Sequence, residues 1–357
     1  MSDPFLLSRI LLKFDRDADD DLIGELSAVA KTPDGSLWLG SDELTSIERL
    51  SPLEPGVYGA HQLFRIQEFV ELIDDSEIDI EGMDYADGYL WIVGSHSFKR
   101  KKPKGTKTEK DLERLSEIKR DANRNLLVRI PVLNGQPVQS CATSDDAGDR
   151  RFAAALTRTE ASNLLLDALK KDDHLGPFVE MQLPSKDNGL DIEGLAVRGD
   201  RIFLGLRGPV LRGWSIVIEI QVEASETGQL TLKKLDDGRR YRKHFVDING
   251  LGIRELCFHG DDLIVLGGPT MALEGTMQVF RLKDVLERDR DTLWDEESGV
   301  LKLLFNLPFT IGADHAEGLT LFPCFEEDGL MVVYDSPHPE RRPSDRSIFA
   351  DVFRLPK

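Results

Sequence analysis

One short phrase recurs five times along this chain. It reads Glu25-Leu26-Ser27-Ala28-Val29-Ala30, then Asp79-Ile80-Glu81-Gly82-Met83-Asp84 and Asp191-Ile192-Glu193-Gly194-Leu195-Ala196. The last copies are Gly252-Ile253-Arg254-Glu255-Leu256-Cys257 and His315-Ala316-Glu317-Gly318-Leu319-Thr320. A turn and an apolar run follow each copy, at 36–40, 89–94, 201–206, 262–267 and 329–334. A unit of strand, tight turn and strand repeated in this way predicts an all-β fold, the β-propeller, in which four-stranded blades line a central channel with their first strands. Five copies predict five blades, or six if residues 132–177 hold a cryptic one.

The phrase opens the inner strand of each blade, and the apolar run is the second strand. Third strands are expected at 45–50, 125–130, 215–222, 277–282 and 348–354, where β-branched content or period-2 alternation appears. Fourth strands are expected at 63–72, 178–183, 230–235 and 301–305. The fifth blade has none of its own. Residues 9–14 lie where a fourth strand precedes every other phrase, so they are expected to complete the last blade and close the ring, leaving no open edges at the seam. The chain reads as one propeller domain over 1–357, with insertions at 97–124 and 132–177. A helical stretch is expected near 109–120 and another through 161–171, the latter capped by Thr157 or Thr159.

Composition narrows the function. The 357 residues are 40% hydrophobic, enough for a large core. No stretch approaches the ~18 apolar residues of a membrane span. The opening 5–14 carries charges and no small-residue cleavage site, so it reads as a strand rather than a secretory leader. Cys141, Cys257 and Cys324 show neither metal spacing nor an even disulfide framework, which fits a reducing, cytoplasmic compartment; Cys257 and Cys324 read as buried strand residues. A net charge of -19 argues against general nucleic-acid binding. No nucleophile elbow, Walker loop, zincin helix or dinucleotide fingerprint is present.

Aligning the phrases places Ser27, Glu81, Glu193, Arg254 and Glu317 at one equivalent position. Such positions converge on a propeller axis. Three carboxylates aimed at one axis repel each other unless positive charge lies between them. Oxygen ligands from separate blades suit a hard cation, and Ca²⁺ tolerates irregular sets. Ser27, Glu81, Glu193 and Glu317 are thus candidate metal ligands. Three arrangements satisfy the charge: a bound Ca²⁺, an inward Arg254 that replaces the metal by bidentate pairing, or a water-filled pore with a loosely held cation. A simpler reading makes each glutamate an acceptor for neighbouring backbone amides.

The DIEG-, IEG- and AEG-type repeats resemble those of a bacterial propeller family known only as a domain of unknown function, over nearly the whole chain. More distantly, the order Ser27, Glu81, Glu193, Glu317 resembles that of the calcium-activated nucleotidases (apyrases). There a central Ca²⁺ is held by Ser, Glu, Glu, Ser and Glu; here Arg254 departs where a serine is expected. The glutamate-glycine pattern also recurs in phytase-like and lactonase-like propellers.

The loops after the second strands carry most of the basic clusters, among them Lys99, Arg100, Arg207, Arg341 and Arg342. A cationic rim over a carboxylate-lined channel would draw a small anion, and a phosphate ester or nucleotide fits. His96 and His338, at second-strand ends, are candidate proton donors. Two functions follow: a metal-assisted hydrolase of a small anionic ester at the channel mouth, or a non-catalytic propeller that binds a ligand or protein partner on that face.

Overall fold

Each phrase folds as an inner strand and each apolar run as the strand beside it, in a computed structural model that describes residues 5–15, 18–143, 150–226 and 228–357. The first antiparallel meander is Leu26–Lys31, Leu37–Ser41, Ser46–Glu54 and Val57–Arg65. The second is Ile80–Ala86, Tyr89–Gly94, Leu127–Leu133 and Ala154–Leu156. Asp191–Arg198, Arg201–Gly208, Ser215–Glu226 and Tyr241–Val246 form the third. Gly252–His259, Asp262–Gly268, Gln278–Leu282 and Leu301–Asn306 form the fourth. In the fifth, His315–Leu321, Gly329–Asp335 and Ser347–Arg354 are completed by Leu6–Lys13, whose register runs from Leu6 opposite Phe353 to Lys13 opposite Ser347. The chain's two ends therefore share one sheet, as the repeat spacing predicts.

The inner strands touch in a closed cycle: the first meets the second and the fifth, and the third and fourth complete the ring. This is the β-propeller arrangement. Side chains alternate across each sheet, so each blade offers an apolar face to both neighbours. The core accordingly falls into five clusters, one at each interface. Trp38, Ile80 and Val128 pack between the first two blades, and Phe203, Ile253 and Phe280 between the third and fourth.

All five inner strands break register at the same place. The pairing skips between Leu26 and Ala28, Ile80 and Gly82, Ile192 and Gly194, Ile253 and Glu255, and Ala316 and Leu319. The residues bypassed include Ser27, Glu81, Glu193, Arg254 and Glu317. A bulge leaves its extra residue unpaired and re-aims its side chain. The repeated phrase is thus a device for turning one side chain per blade out of the ladder.

Three fourth strands differ from expectation. In the first blade it is Val57–Arg65, so only residues 63–65 of the expected 63–72 belong to it. Ala154–Leu156, from within the 132–177 insertion, serves the second blade, and residues 178–183 do not. Pro177 opens a short helix at Gly176–Met181, and proline suits the first helical turn while lacking the N–H a ladder needs. In the third blade the fourth strand is Tyr241–Val246. The expected run instead gives Gln229–Leu232, which pairs with the outer end of Ser215–Glu226 and lies parallel to Ala154–Leu156, joining two blades. The 97–124 insertion holds a helix at Thr108–Ser116. The second helix is shorter than expected, Leu164–Leu169, and its cap is Asn163, whose side chain accepts from Leu166 N; Leu165, Leu166 and Leu169 are buried in the ring. Thr159 closes a turn one step earlier by accepting from Ser162 N. Residues 144–149 of the insertion lie outside the described residues. Cys257 is buried in an inner strand, whereas Cys324 is half-buried in a turn.

The glycine after the bulge sets how closely inner strands approach. A Cβ on Gly194 would lie 2.8 Å from Leu256 Cγ and 3.1 Å from Leu256 N. Gly194→Val is expected to lower stability by about 1–3 kcal/mol through overpacking, read as a drop in the urea midpoint. An unchanged midpoint would mean that the inner strands can part at no cost.

Candidate functional site: a carboxyl–guanidinium cluster on the axis

The bulges gather charge at one end of the channel. Arg254 bridges two other blades: its Nε lies 2.9 Å from Glu193 Oε2, and its Nη2 pairs with Glu317 Oε1. Arg207, at the end of a second strand, pairs with Asp191 and reaches Glu193 Oε1 at 2.5 Å. Arg124, from the turn Ala122–Asn125, meets Asp79 Oδ2 at 2.7 Å and pairs with Glu77. All three guanidinium groups are buried. Ser27 Oγ donates to Ile80 O at 2.5 Å, tying the first inner strand to the second.

Six carboxyl groups, Glu77, Asp79, Glu81, Asp191, Glu193 and Glu317, face three guanidinium groups. The shortfall appears as raised pKa values at three of these carboxyls. Glu81 has no hydrogen bond or ion pair among the described residues; burial, then the charges of Glu193 and Asp79, push its carboxyl well above the usual range. Burial raises Asp191 to about 7 and Glu317 to about 8, although Arg207 and Arg254 respectively pull them back.

A second ring stands two residues before the first: Glu25, Asp79, Asp191, Gly252 and His315. Glu25 bridges backbone to Asp335, and their side chains share a hydrogen bond. Burial and that bond raise Glu25 to about 7. Hydrogen bonds from His315 and Glu25 overcome burial and hold Asp335 below the ordinary carboxylate value. His315 Nδ1 lies 3.6 Å from Asp335 Oδ2, and that contact raises the imidazole. Asp42 is pushed to about 8 by burial and by the charge of Asp79, and its Oδ1 is buried without a partner. Glu25, Asp79, Asp191 and His315 escaped the reading of the sequence although they occupy the first position of the same phrase; Asp42 and Asp335 stand at or just after the ends of second strands.

Of the four expected metal ligands, Glu81 has no partner among the described residues and the other three are engaged. Glu193 and Glu317 are held by guanidinium groups and Ser27 by a carbonyl, so this set does not fit a Ca²⁺ cage; among the described residues no cluster of three His, Cys, Asp or Glu is arranged to hold a metal ion. The nucleotidase resemblance finds no support in this geometry.

The residues expected at a cationic rim do not form one. Arg207 lies inside the cluster. Lys99 Nζ is 3.1 Å from Glu77, and Arg100 pairs with Asp187 at 2.7 Å. Arg341 is buried between Asp314 and Asp351, both at 2.8 Å, over the Tyr334 ring. Arg342 is exposed. His338 caps the short turn Pro339–Arg341 by accepting from Glu340 N. His96 is buried between Gly94 O and Asn163, both at 2.7 Å; burial lowers it to about 4, leaving a neutral packing group rather than an exposed proton donor.

Fold and site together define a β-propeller whose channel mouth carries a buried acid–guanidinium cluster. The chain belongs to the family described as "Protein of unknown function (DUF3616)", whose model matches residues 25–351. No curated protein matches it. Solved structures similar to it include a candidate gluconolactonase, at 12% identity over 92% of this chain and 74% of that one, TM-score 0.41. Others are the PQQ-bound aldose sugar dehydrogenase of Streptomyces coelicolor (11%, 98% and 99%, TM-score 0.39) and virginiamycin B lyase of Staphylococcus aureus (10%, 98% and 100%, TM-score 0.37). Likeness at this level carries no argument about activity, and the propeller rests on the strand pairings above. Among the described residues no helix is long and apolar enough to cross a membrane.

Breaking a buried ion pair from one side leaves an uncompensated charge. Arg254→Met is therefore expected to cost about 3–5 kcal/mol at about pH 9, where Glu317 is ionised, and less at about pH 6, where Glu317 holds its proton. Equal losses at both pH values in urea titrations would separate Arg254 from these charges.

Glu25, Asp42, Asp191 and Glu317 keep their protons up to about 7–8, against about 4 in an unfolded chain. The folded state binds more protons across that window, so stability is expected to fall as pH rises from about 4 to about 8. His96 acts oppositely: its folded value is lowered to about 4, so its contribution is lost as pH falls below about 6.5. Asp42→Asn is expected to flatten the decline in urea midpoints measured from about pH 4 to about 8; an unaltered slope would remove Asp42 as a contributor.

Proposed function

We propose that the protein is a hydrolase that works by carboxyl acid–base chemistry at the channel mouth on a small uncharged ester. The observation that carries this reading is the Glu25–Asp335 pair, one carboxyl protonated near pH 7 and hydrogen-bonded to another held ionised, beside His315. Paired titratable groups pushed in opposite directions mark acid and base roles. Asp335 takes a proton from the attacking water, Glu25 gives its proton to the departing oxygen, and His315 fixes the Asp335 carboxylate. An uncharged substrate is favoured over an anionic one because Lys99, Arg100, Arg207 and Arg341 are already paired with acids.

A second reading, a non-catalytic binding module, is favoured by the exposed apolar side chains Met271, Leu273, Phe309 and Ile311, on the loops before Gln278 and before His315. A panel of aryl esters, lactones and aryl phosphates, each with and without Ca²⁺, separates the cases. Ester turnover independent of Ca²⁺ is expected, with Glu25→Gln and Asp335→Asn each lowering kcat by about 10²–10⁴-fold. The rate is expected to fall above about pH 7, as Glu25 loses its proton. Turnover of phosphates only with Ca²⁺ would favour the metal-assisted reading, and no turnover on the whole panel the binding module.

A further inference from the structure

Away from the axis, the third blade carries a second polar concavity of about 310 Å³. Five of its nine lining residues are basic, namely Arg201, Lys233, Lys234, Arg242 and Arg288, against the acids Asp236 and Asp289. That proportion stands out in a chain with 45 basic residues among 357 and a net charge of -19. Its floor is rigid. Arg242 sits directly opposite Glu219 in the pairing of Ser215–Glu226 with Tyr241–Val246. Glu219 is fully buried; it receives Arg201 at 2.7 and 2.9 Å, Arg242 at 3.0 Å and His244 at 3.0 Å. His244 stacks on Trp294 at 5.1 Å between ring centres and bonds to Thr292 Oγ1.

The donors of this floor are not all spent. Arg201 is fully engaged, with Nε and Nη2 on Glu219 and Nη1 on Leu286 O. Arg242 gives Nη1 to Glu219, but its Nε is buried with no hydrogen-bond partner, although the residue is only 6% exposed. Arg288 places its guanidinium over Trp294, and its Nε is likewise buried and unpartnered. Lys234, exposed at the rim, makes no ion pair among the described residues, and Lys233 reaches Asp200 at 3.1 Å. A buried N–H of a guanidinium left without an acceptor is costly, and an oxyanion with several acceptor oxygens supplies what these groups lack.

We propose that this pocket is a binding site for a small multiply charged oxyanion of the phosphate type, held by Arg242, Arg288 and Lys234. It is separate from the channel and independent of whether the channel is catalytic. The test is calorimetric titration of the intact protein with inorganic pyrophosphate, with inorganic phosphate as a weaker comparison. Saturable binding that weakens as salt rises is expected. Arg288→Ala and Lys234→Ala are expected to weaken it roughly ten-fold or more each, since charge-assisted hydrogen bonds are lost. Lys234 is exposed and Arg288 half-buried, so a cooperative urea transition verifies that the variants are folded. Arg242→Lys keeps the charge but loses the second donor, and is expected to weaken pyrophosphate binding as well. No saturable heat at millimolar pyrophosphate, or equal affinity in the Arg288→Ala/Lys234→Ala double variant, overturns the proposal.

Discussion

The close approach of five inner strands is the constraint from which the rest of the molecule follows. Gly82 lies against Leu195, Gly194 against Leu256 and Gly318 against Ala28 and Val29, each with less room than a Cβ needs. Where the fourth blade has Glu255 in place of the glycine, the carboxyl turns sideways and accepts from Leu195 N and Leu256 N at 2.9 and 2.8 Å. The bulge that precedes each of these positions expels one side chain from the ladder. Tight packing and channel chemistry are therefore two results of one local motif.

Crowding also explains the guanidinium groups. Carboxyls brought to one axis must be protonated or paired, and the protein does both. Arg124, Arg207 and Arg254 compensate part of the charge, and protons compensate the remainder. Pairs of this kind contribute little net stability compared with a well-packed apolar core. Their presence across three blades is better accounted for by a role for the charges than by a need for stability.

The repeated phrase made the blades legible because all five copies keep the same order of apolar, bulged and small residues. The closing strand at Leu6–Lys13 was legible for a related reason, its position before the first copy. The fourth strands of the second and third blades were not. Phe178-Val179-Glu180-Met181 alternates like a strand, but Pro177 and the packing of Val179 on the ring give a helix. Arg207 read as a free cation because its acids, Asp191 and Glu193, face it only once the hairpin forms. His96 read as a rim residue because it follows a strand end, yet a φ of 58° at that position accompanies a ring turned inward onto Asn163. Pattern reports which residues share a position; partners depend on distances that exist only in three dimensions.

The same chemical group ends in opposite states within this one chain. Glu219 is fully buried and held near 2, because two arginines and a histidine converge on it. Asp42 is half-buried with its Oδ1 fully shielded, but it faces Asp79, Glu25 and Asp335 instead of cations, and rises to about 8. Burial is common to both, so burial alone does not decide the outcome. The decisive quantity is how many cationic donors each carboxyl can reach, since desolvation raises a carboxyl and a neighbouring guanidinium lowers it. By that measure Glu219 is a fixed charge that organises the outer blade. Glu25, Asp42, Asp191 and Glu317 are among the groups able to change charge near neutral pH, and they stand together at the mouth of the channel.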